Sequence, residues 1–526
     1  MTGAVTTPSP AEMPAPSGRP DSLAVTRRRR WGFRLLAFVA GGTVSLVFPE
    51  AGLWWWAYVG LVPVLALVRA APNRREALVR SWAAGCGFFL GLHHWLVPTL
   101  LVFTPVLALL VGLVWVPWGA GAWWLLRGDI SLRRMAAAVV VLPSIWVMTE
   151  YVRAWHPFGG SWGFLGLSQW QVRPILAVAA LGGVWALSFL LASTNVAVSV
   201  ALMSHARRWV RAAAAGLTVV LIVAALVYGL TRPSPEVVGH LRIGGVQPGV
   251  VHSPRERLAA NERITDELVT ADVTKDVDIV VWGQSSVGID IDIAEDIRQR
   301  LLAVADRAQR PVIVNVDGRL PHGRVSKTTM LVRPDGLADT YTKQRLVPFG
   351  EYIPLRPIFG WLAGFTKAAE EDRLPGTDFT TFELAGATIG PLISYESTFP
   401  DIRRTLARRG VDMTLVQAAA TTFQGSWALP QQASFEAVRA VESGRPAVLV
   451  AVSGTSAAFD PRGRQLTWID QDRTGAWTVD VPLSREDTPF VRWGDWVPAV
   501  SLSVLTLATA VALRDAMRAR RHRRQR

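Results

Sequence analysis

Cysteine is all but missing from this 526-residue chain. The only one, Cys86, lies in an apolar run. One thiol excludes a disulfide framework and a cysteine-built metal site, and it leaves the polar part of the chain without a thiol nucleophile. Lysine is almost as scarce: Lys275, Lys327, Lys343 and Lys367 are the only lysines among 55 basic residues. Arginine is the default cation, which makes each lysine more interesting as a candidate for chemistry. Charged residues make up only 18% of the chain, hydrophobic ones 50%, and there are 23 tryptophans. That balance excludes a wholly soluble protein and places much of the chain in a bilayer. The net charge of +14 reads as cytoplasmic loops facing anionic headgroups, and nucleic acid is not an expected partner.

Residues 1–26, rich in Pro, Ser, Thr and Ala without apolar periodicity, read as a disordered cytoplasmic leader. Apolar stretches of roughly 18–25 residues, long enough to cross ~30 Å of hydrocarbon, follow at about 31–48, 51–68, 81–102, 104–126, 135–152, 174–203, 209–231 and 494–513. If all are spans, five basic segments fall on one side: residues 27–30, the loops around Arg74, Arg133 and Arg208, and the tail 514–526. By the positive-inside rule that side is cytoplasmic, which puts residues 233–492 outside the cytoplasm. The expected division is a bundle at 27–232, an extracytoplasmic domain at 233–492, a last helix at 493–513 and a basic cytoplasmic tail at 514–526. Within the bundle, Glu150 is costly in lipid and is expected to face protein or a watery interior. The aromatic, glycine-rich loop 155–170 suits the headgroup level, either as part of an aromatic belt or as a gate for lipid.

Between 233 and 492 the pattern changes to short β-branched runs and amphipathic helices. Strands are expected at 241–246, 277–282, 312–316, 328–332, 388–395, 413–417 and 447–452, and helices at 254–269 and 430–443. Pro334-Asp335-Gly336 and Pro461-Arg462-Gly463 mark turns. Three of the strand ends carry polar side chains: Trp282-Gly283-Gln284-Ser285-Ser286, then Tyr341-Thr342-Lys343 running on through Gly350-Glu351-Tyr352, then Ile393-Ser394-Tyr395-Glu396. Strand ends are where α/β domains collect chemistry.

In this order, behind a set of membrane spans, and with Val246-Gln247-Pro248 and Glu442-Ser443-Gly444-Arg445-Pro446 beside them, these segments resemble the apolipoprotein N-acyltransferase family. The resemblance covers nearly the whole chain. It implies an α-helical membrane bundle of about eight transmembrane helices plus an extracytoplasmic α/β domain of nitrilase type, an α-β-β-α sandwich, in the bacterial cytoplasmic membrane. It also implies a glutamate base, a lysine that stabilises an oxyanion and a cysteine nucleophile. With these the family moves an acyl chain from phospholipid to the N-terminal diacylglyceryl-cysteine of a lipoprotein. Phospholipid and a diacylated lipoprotein N-terminus are thus the implied partners, with a polyprenol-phosphate mannose synthase as a further one by resemblance. No cofactor or metal is implied.

Carried over by position, the glutamate is Gln284, the lysine is Lys343 and the cysteine is Ser394, with Glu351, Tyr395 and Glu396 retained as supporting residues. A glutamine amide cannot take a nucleophile's proton, and a serine hydroxyl needs that base more than a thiol does. The family's Asn-Asp-Ala-Trp-Phe run reads Ala419-Ala420-Thr421-Thr422-Phe423 here, and its Asn-Thr-Gly reads Ser453-Gly454-Thr455. The expectation is a catalytically impaired member that binds lipid, lipoprotein or a partner protein. Two alternatives stand beside it. One is an active acyltransferase or lipid hydrolase with Ser394 as nucleophile and Lys343 or Glu351 as base. The other is an amidase for small soluble substrates.

Overall fold

The computed structural model describes residues 20–101, 103–156, 160–204, 206–271, 276–319, 325–364, 372–419 and 421–524. Residues 1–19 of the expected leader, 157–159 of the aromatic loop, Lys275, Lys367 and Ala420 lie outside them. The backbone is helical from Pro20, so the last residues assigned to a disordered leader extend the first helix instead.

Among the described residues, five helices are long and apolar enough to cross a membrane: Phe103–Leu126, Leu132–Arg153, Ala179–Ala201, Arg208–Thr231 and Trp496–Arg521. The other apolar stretches form the helices Pro20–Val44 and Arg74–Leu92 and the shorter Trp54–Arg69. Ala179–Ala201 is the hub, with 78% of its apolar window buried against 17% for Arg208–Thr231 and Trp496–Arg521, which face outward. Asn195 and Glu150 show how polar groups inside the bundle are paired where water is lacking. Asn195 donates to the Ala57 and Leu191 carbonyls at 2.7 and 2.8 Å and accepts from the Leu61 N–H at 2.9 Å. Glu150 is buried in protein, where one oxygen accepts from the Trp146 indole and the Leu165 N–H, both at 2.8 Å.

The α/β domain has two six-stranded sheets. One runs β12-β1-β2-β3-β4-β5, from β1 (Gly239–Gln247), β2 (Ile279–Trp282), β3 (Val312–Arg319), β4 (Val325–Arg333), β5 (Gly336–Thr342) and β12 (Gly475–Leu483). The other runs β11-β10-β9-β8-β7-β6, from β6 (Phe382–Leu384), β7 (Ala387–Ile393), β8 (Met413–Ala418), β9 (Ala447–Ala451), β10 (Ser456–Phe459) and β11 (Gln465–Ile469). In each sheet the three central strands, β1-β2-β3 and β7-β8-β9, are parallel and buried. Strands buried on both faces read as continuous apolar runs, which is why these were visible in the sequence.

Leu241, Ile243, Ile279, Val281 and Ile313 of one sheet pack face to face on Ile389, Ile393, Met413, Leu415 and Val448 of the other. The outer face of the first sheet is covered by Pro254–Thr270 and Glu295–Ala308, through Leu258, Ile264, Ile297 and Leu301. The outer face of the second is covered by Pro400–Arg408 and Ala428–Ser443. The order is helix, sheet, sheet, helix. Ala428–Ser443 is buried almost throughout because its far side lies on the membrane bundle, and its apolar residues join the bundle's own core.

Candidate active site

The carboxyl ends of β2, β7 and β8 come together at one rim. β7 pairs in parallel with β8, placing Ile393 beside Gln417, and the chain then turns sharply at Ser394. Ser394 has φ of +52°, a left-handed conformation that costs a non-glycine residue about 1–3 kcal/mol and persists only where its surroundings impose it. The 3₁₀ turn Ser394–Thr398 follows directly. The serine is half-buried, and its hydroxyl makes no hydrogen bond among the described residues.

Glu396 imposes the turn. It is fully buried and accepts four hydrogen bonds: from the Ile393 N–H before the elbow (2.8 Å), the Tyr341 hydroxyl (2.8 Å), and the Gln344 and Arg345 N–H groups (2.8 and 3.1 Å). Burial lifts its carboxyl above the usual range even though Lys343 and the backbone donors pull it down. One carboxylate therefore ties the end of β7 to the loop that leaves β5 at Lys343.

Lys343 is 1% exposed and its ammonium lies 2.7 Å from Glu351. The same Glu351 oxygen accepts the Val347 N–H at 2.9 Å, and the other pairs with Arg373 at 3.1 Å. Burial alone would raise the Glu351 carboxyl, but Lys343, Arg373 and Lys327 together hold it below the ordinary value. Both oxygens of this acid are spent on cations and backbone.

Gln284 arrives from the other sheet. Gly283 makes this possible: a Cβ there would stand 2.2 Å from the Val452 nitrogen, so only glycine lets β2 end against β8 and β9. The Gln284 N–H donates to the Ala418 carbonyl at 3.1 Å, and its side-chain oxygen accepts from the Ala419 N–H at 3.2 Å. Gln284 thus sits on the residues just past Gln417, the partner of Ile393. The structure gathers Gln284, Lys343, Ser394, Glu351, Tyr395 and Glu396 at one rim.

Three features are not legible in the sequence. Tyr341 and Arg373 serve as partners to Glu396 and Glu351. Beside Gln284, Ser285 adopts φ of +54° and donates to Asp317 at 3.1 Å, while the Lys327 ammonium bonds both Ser285 and Asp317, the latter at 2.7 Å. Burial lowers the Lys327 amine and Asp317 partly restores it. The scarcity of lysine was the available signal, since both described lysines point into this rim. Third, the bundle reaches the site: His156 bonds the Leu346 carbonyl at 2.5 Å and its ring lies 5.6 Å from Tyr352. The Tyr395 hydroxyl and the Gln344 amide nitrogen are buried beside the elbow without a partner among the described residues, places that a polar ligand atom or a water would satisfy.

Comparison with known proteins places this architecture among relatives. Residues 40–197 match the apolipoprotein N-acyltransferase N-terminal domain, and residues 259–488 match the carbon-nitrogen hydrolase family. An apolipoprotein N-acyltransferase from Azotobacter vinelandii is 31% identical over 94% of this chain and 97% of its own length. One from Pseudomonas syringae pv. tomato is 28% identical over 90% of this chain and 95% of its own. Among solved structures, an amidase from Nesterenkonia sp. is 18% identical, covering 49% of this chain and 95% of that one at a TM-score of 0.35.

Proposed function

This chain belongs to the apolipoprotein N-acyltransferase family, and we propose that it retains the family's site for phospholipid and diacylated lipoprotein while having lost the acid–base and nucleophilic groups that drive transfer. It then acts by holding lipid or lipoprotein, or by supporting a partner protein, in the bacterial cytoplasmic membrane. The boundaries 27–232, 233–492 and 493–513, about eight spans and an extracytoplasmic α/β domain belong to this proposal, supported by the five basic segments that fall on one side. The polyprenol-phosphate mannose synthase finds no support in the fold or the relatives and is not part of it.

One observation carries the reading. The groups that could replace the missing base are already committed: Lys343 to Glu351, and Glu351 to Lys343, Val347 and Arg373. Gln284 offers an amide where a carboxylate would be needed. The unpartnered Tyr395 hydroxyl and Gln344 amide favour a bound polar group at the rim. An open apolar groove of about 470 Å³, from Phe38 in the first helix and Leu46 just past its end to Trp427 of the α/β domain, offers a path for an acyl chain.

A second reading, slow acyl transfer or lipid hydrolysis through Ser394, is favoured by the presentation of that hydroxyl: half-exposed, unbonded and on a constrained turn. The two are separated by incubating the purified full chain in phospholipid with a diacylated lipopeptide and following acyl transfer, fatty-acid release and a Ser394 adduct by mass spectrometry. The impaired-site reading expects lipid and lipopeptide binding with none of the three products. Robust transfer abolished by Ser394→Ala would overturn it.

A further inference from the structure

A cleft of about 760 Å³ opens where the membrane bundle meets the α/β domain, at the other ends of the strands from Ser394. His240, near the start of β1, lies in its wall, whereas Gln284 lies past the end of the parallel β2. The two places are separated by roughly the length of a strand, about 25 Å. The roof is the turn joining β10 to β11. The floor is the end of Arg208–Thr231 lying on the short helix Arg173–Leu176. That floor is tight: a Cβ on Gly229 would stand 1.9 Å from the Pro174 carbonyl oxygen.

The charges lining the cleft do not cancel. Asp460 is matched by Arg464 at 3.0 Å and by the Arg462 and Arg464 N–H groups, and Asp480, at the exposed edge, shares a hydrogen bond with the His240 ring at 2.8 Å. Three guanidiniums remain. Among the described residues Arg462 bonds only neutral acceptors, Ser234 at 2.9 Å and the Gly229 carbonyl at 3.3 Å. Arg232 and Arg173 make no side-chain hydrogen bond or ion pair among the described residues, although Glu486 attracts Arg232 from a distance. Cations are rare at this end of the bundle. Of the residues joining its helices here, Arg153 is buried over the Phe89 and Phe164 rings at 4.6 and 5.2 Å. The other two are Arg173 and Arg232, and both line this cleft. Half-buried Arg232 and Arg462 and the exposed Arg173 beside them, without counterions among the described residues, make a site for an anion with several oxygen acceptors, such as phosphate.

The remaining wall identifies the rest of the ligand. Leu230 and Val237 are 72% and 50% exposed, and they continue the outward face of Arg208–Thr231, one of the two apolar helices least covered by protein. An inorganic or sugar phosphate has no use for that wall. A phosphate carrying acyl chains uses both halves.

We propose that this cleft binds the phosphodiester headgroup of a membrane lipid, with Arg173, Arg232 and Arg462 on the phosphate and Leu230 and Val237 against its glycerol and acyl region. The site is separate from any lipid at Ser394 and does not depend on whether Ser394 reacts. It would anchor the α/β domain to the leaflet below it.

The test uses the full-length protein, delipidated in detergent and titrated with phosphatidylglycerol, with bound lipid counted by native mass spectrometry. Wild-type protein is expected to retain a tightly held phosphatidylglycerol but no diacylglycerol of the same chains. Arg232→Gln with Arg462→Gln should weaken that binding by about tenfold per guanidinium, while Arg464→Gln, whose charge is already spent on Asp460, should change it by less than about threefold. Inorganic phosphate and glycerol 3-phosphate should fail to displace the lipid at equal concentration; displacement would make this a soluble-anion site and overturn the assignment. Undiminished lipid retention by a double variant that melts like wild type would overturn it too. A phospholipid with a photoreactive headgroup, applied to wild-type protein, needs no variant: labelling of residues 229–237 and 460–466 supports the site, and labelling confined to other segments refutes it.

Discussion

The proposed loss of catalysis is tested most sharply by restoring a glutamate at 284 and a cysteine at 394. Gln284→Glu is isosteric, and the Ala419 N–H that donates to the amide oxygen at 3.2 Å would serve a carboxylate equally well. At 6% exposure burial would push the new carboxyl upward, toward the range where a carboxylate becomes an effective base at neutral pH. Placing an acid there with one backbone donor should cost about 1–3 kcal/mol of stability. Ser394→Cys keeps the elbow, since Glu396 holds the turn through backbone groups that do not depend on the 394 side chain. General-base assistance is worth about 10² to 10⁴ in rate, or roughly 2.7–5.5 kcal/mol of barrier.

The singles should gain little, because a base without a thiol and a thiol without a base each leave the step incomplete. The double variant should exceed the product of the singles, as expected for groups that act as a unit. The assay is acyl transfer from phospholipid to a diacylated lipopeptide, read by mass spectrometry, with thermal melts to establish folding. A gain of at least about 10² over the better single is expected. A folded double variant no more active than wild type would falsify the idea that these two positions limit the site, and would shift the cause to the departures at Ala419, Thr421 and Thr422.

Glu351→Gln should destabilise the domain by about 3–5 kcal/mol by leaving buried Lys343 without its counterion. Because the folded Glu351 carboxyl is held below its ordinary value of 4.5, its contribution is present above that pH and disappears as pH falls through the lower folded value. The melting difference between wild type and variant should therefore shrink below about pH 4.5; a gap that stays constant down to about pH 3 would refute the coupling. Glu396→Ala strands four donors around the elbow and, at about 1–3 kcal/mol for each buried group left unpaired, should prevent stable folding or lower the melting temperature steeply; near-wild-type melting would contradict its role. Glu442→Ala should cost about 3–5 kcal/mol, since it leaves Arg439 buried without its acid, and limited proteolysis should then reach the junction of bundle and α/β domain.

Much of the α/β domain was legible because its parallel strands are buried on both faces and read as apolar runs. The expected strand at 388–395 stops at Ile393, since Ser394 turns away with positive φ, a backbone event that apolarity does not encode. β12 has no comparable signal. Its Pro482 argues against a strand, yet it sits at the sheet edge, paired only with β1. The Pro334-Asp335-Gly336 and Pro461-Arg462-Gly463 turns do close the hairpins β4–β5 and β10–β11. In the bundle the difficulty was short or charged ends: Trp54–Arg69 and Arg74–Leu92 are helical but fall short of a self-evident span. At the site, sequence position alone picked out Gln284, Lys343 and Ser394 as candidates. What Lys343 and Glu351 are bonded to, which decides whether either is free to act as a base, required coordinates.

The junction of the two parts gives a reason why, under the proposed loss of transfer, the elbow would be kept. Ala179–Ala201 is broken at Gly182 and Gly183, which frees the Val184 N–H from its helical acceptor. Glu442 accepts that N–H at 2.6 Å and pairs with Arg439, and Arg439 donates to the Thr398 carbonyl at 2.8 Å, inside the turn that begins at Ser394. Each member is buried, so removing any one leaves an unpaired polar group in a dry interior. The elbow is therefore part of the scaffold that fixes the α/β domain on the bundle. Ser394 and Gln284 are not: no bond of this relay passes through either side chain. Stability thus retains Glu396, Arg439 and Glu442 whether or not transfer occurs, and only catalysis would retain a glutamate at 284 and a cysteine at 394. A chain relieved of the reaction but still required to fold and hold lipid would keep and lose the residues seen here.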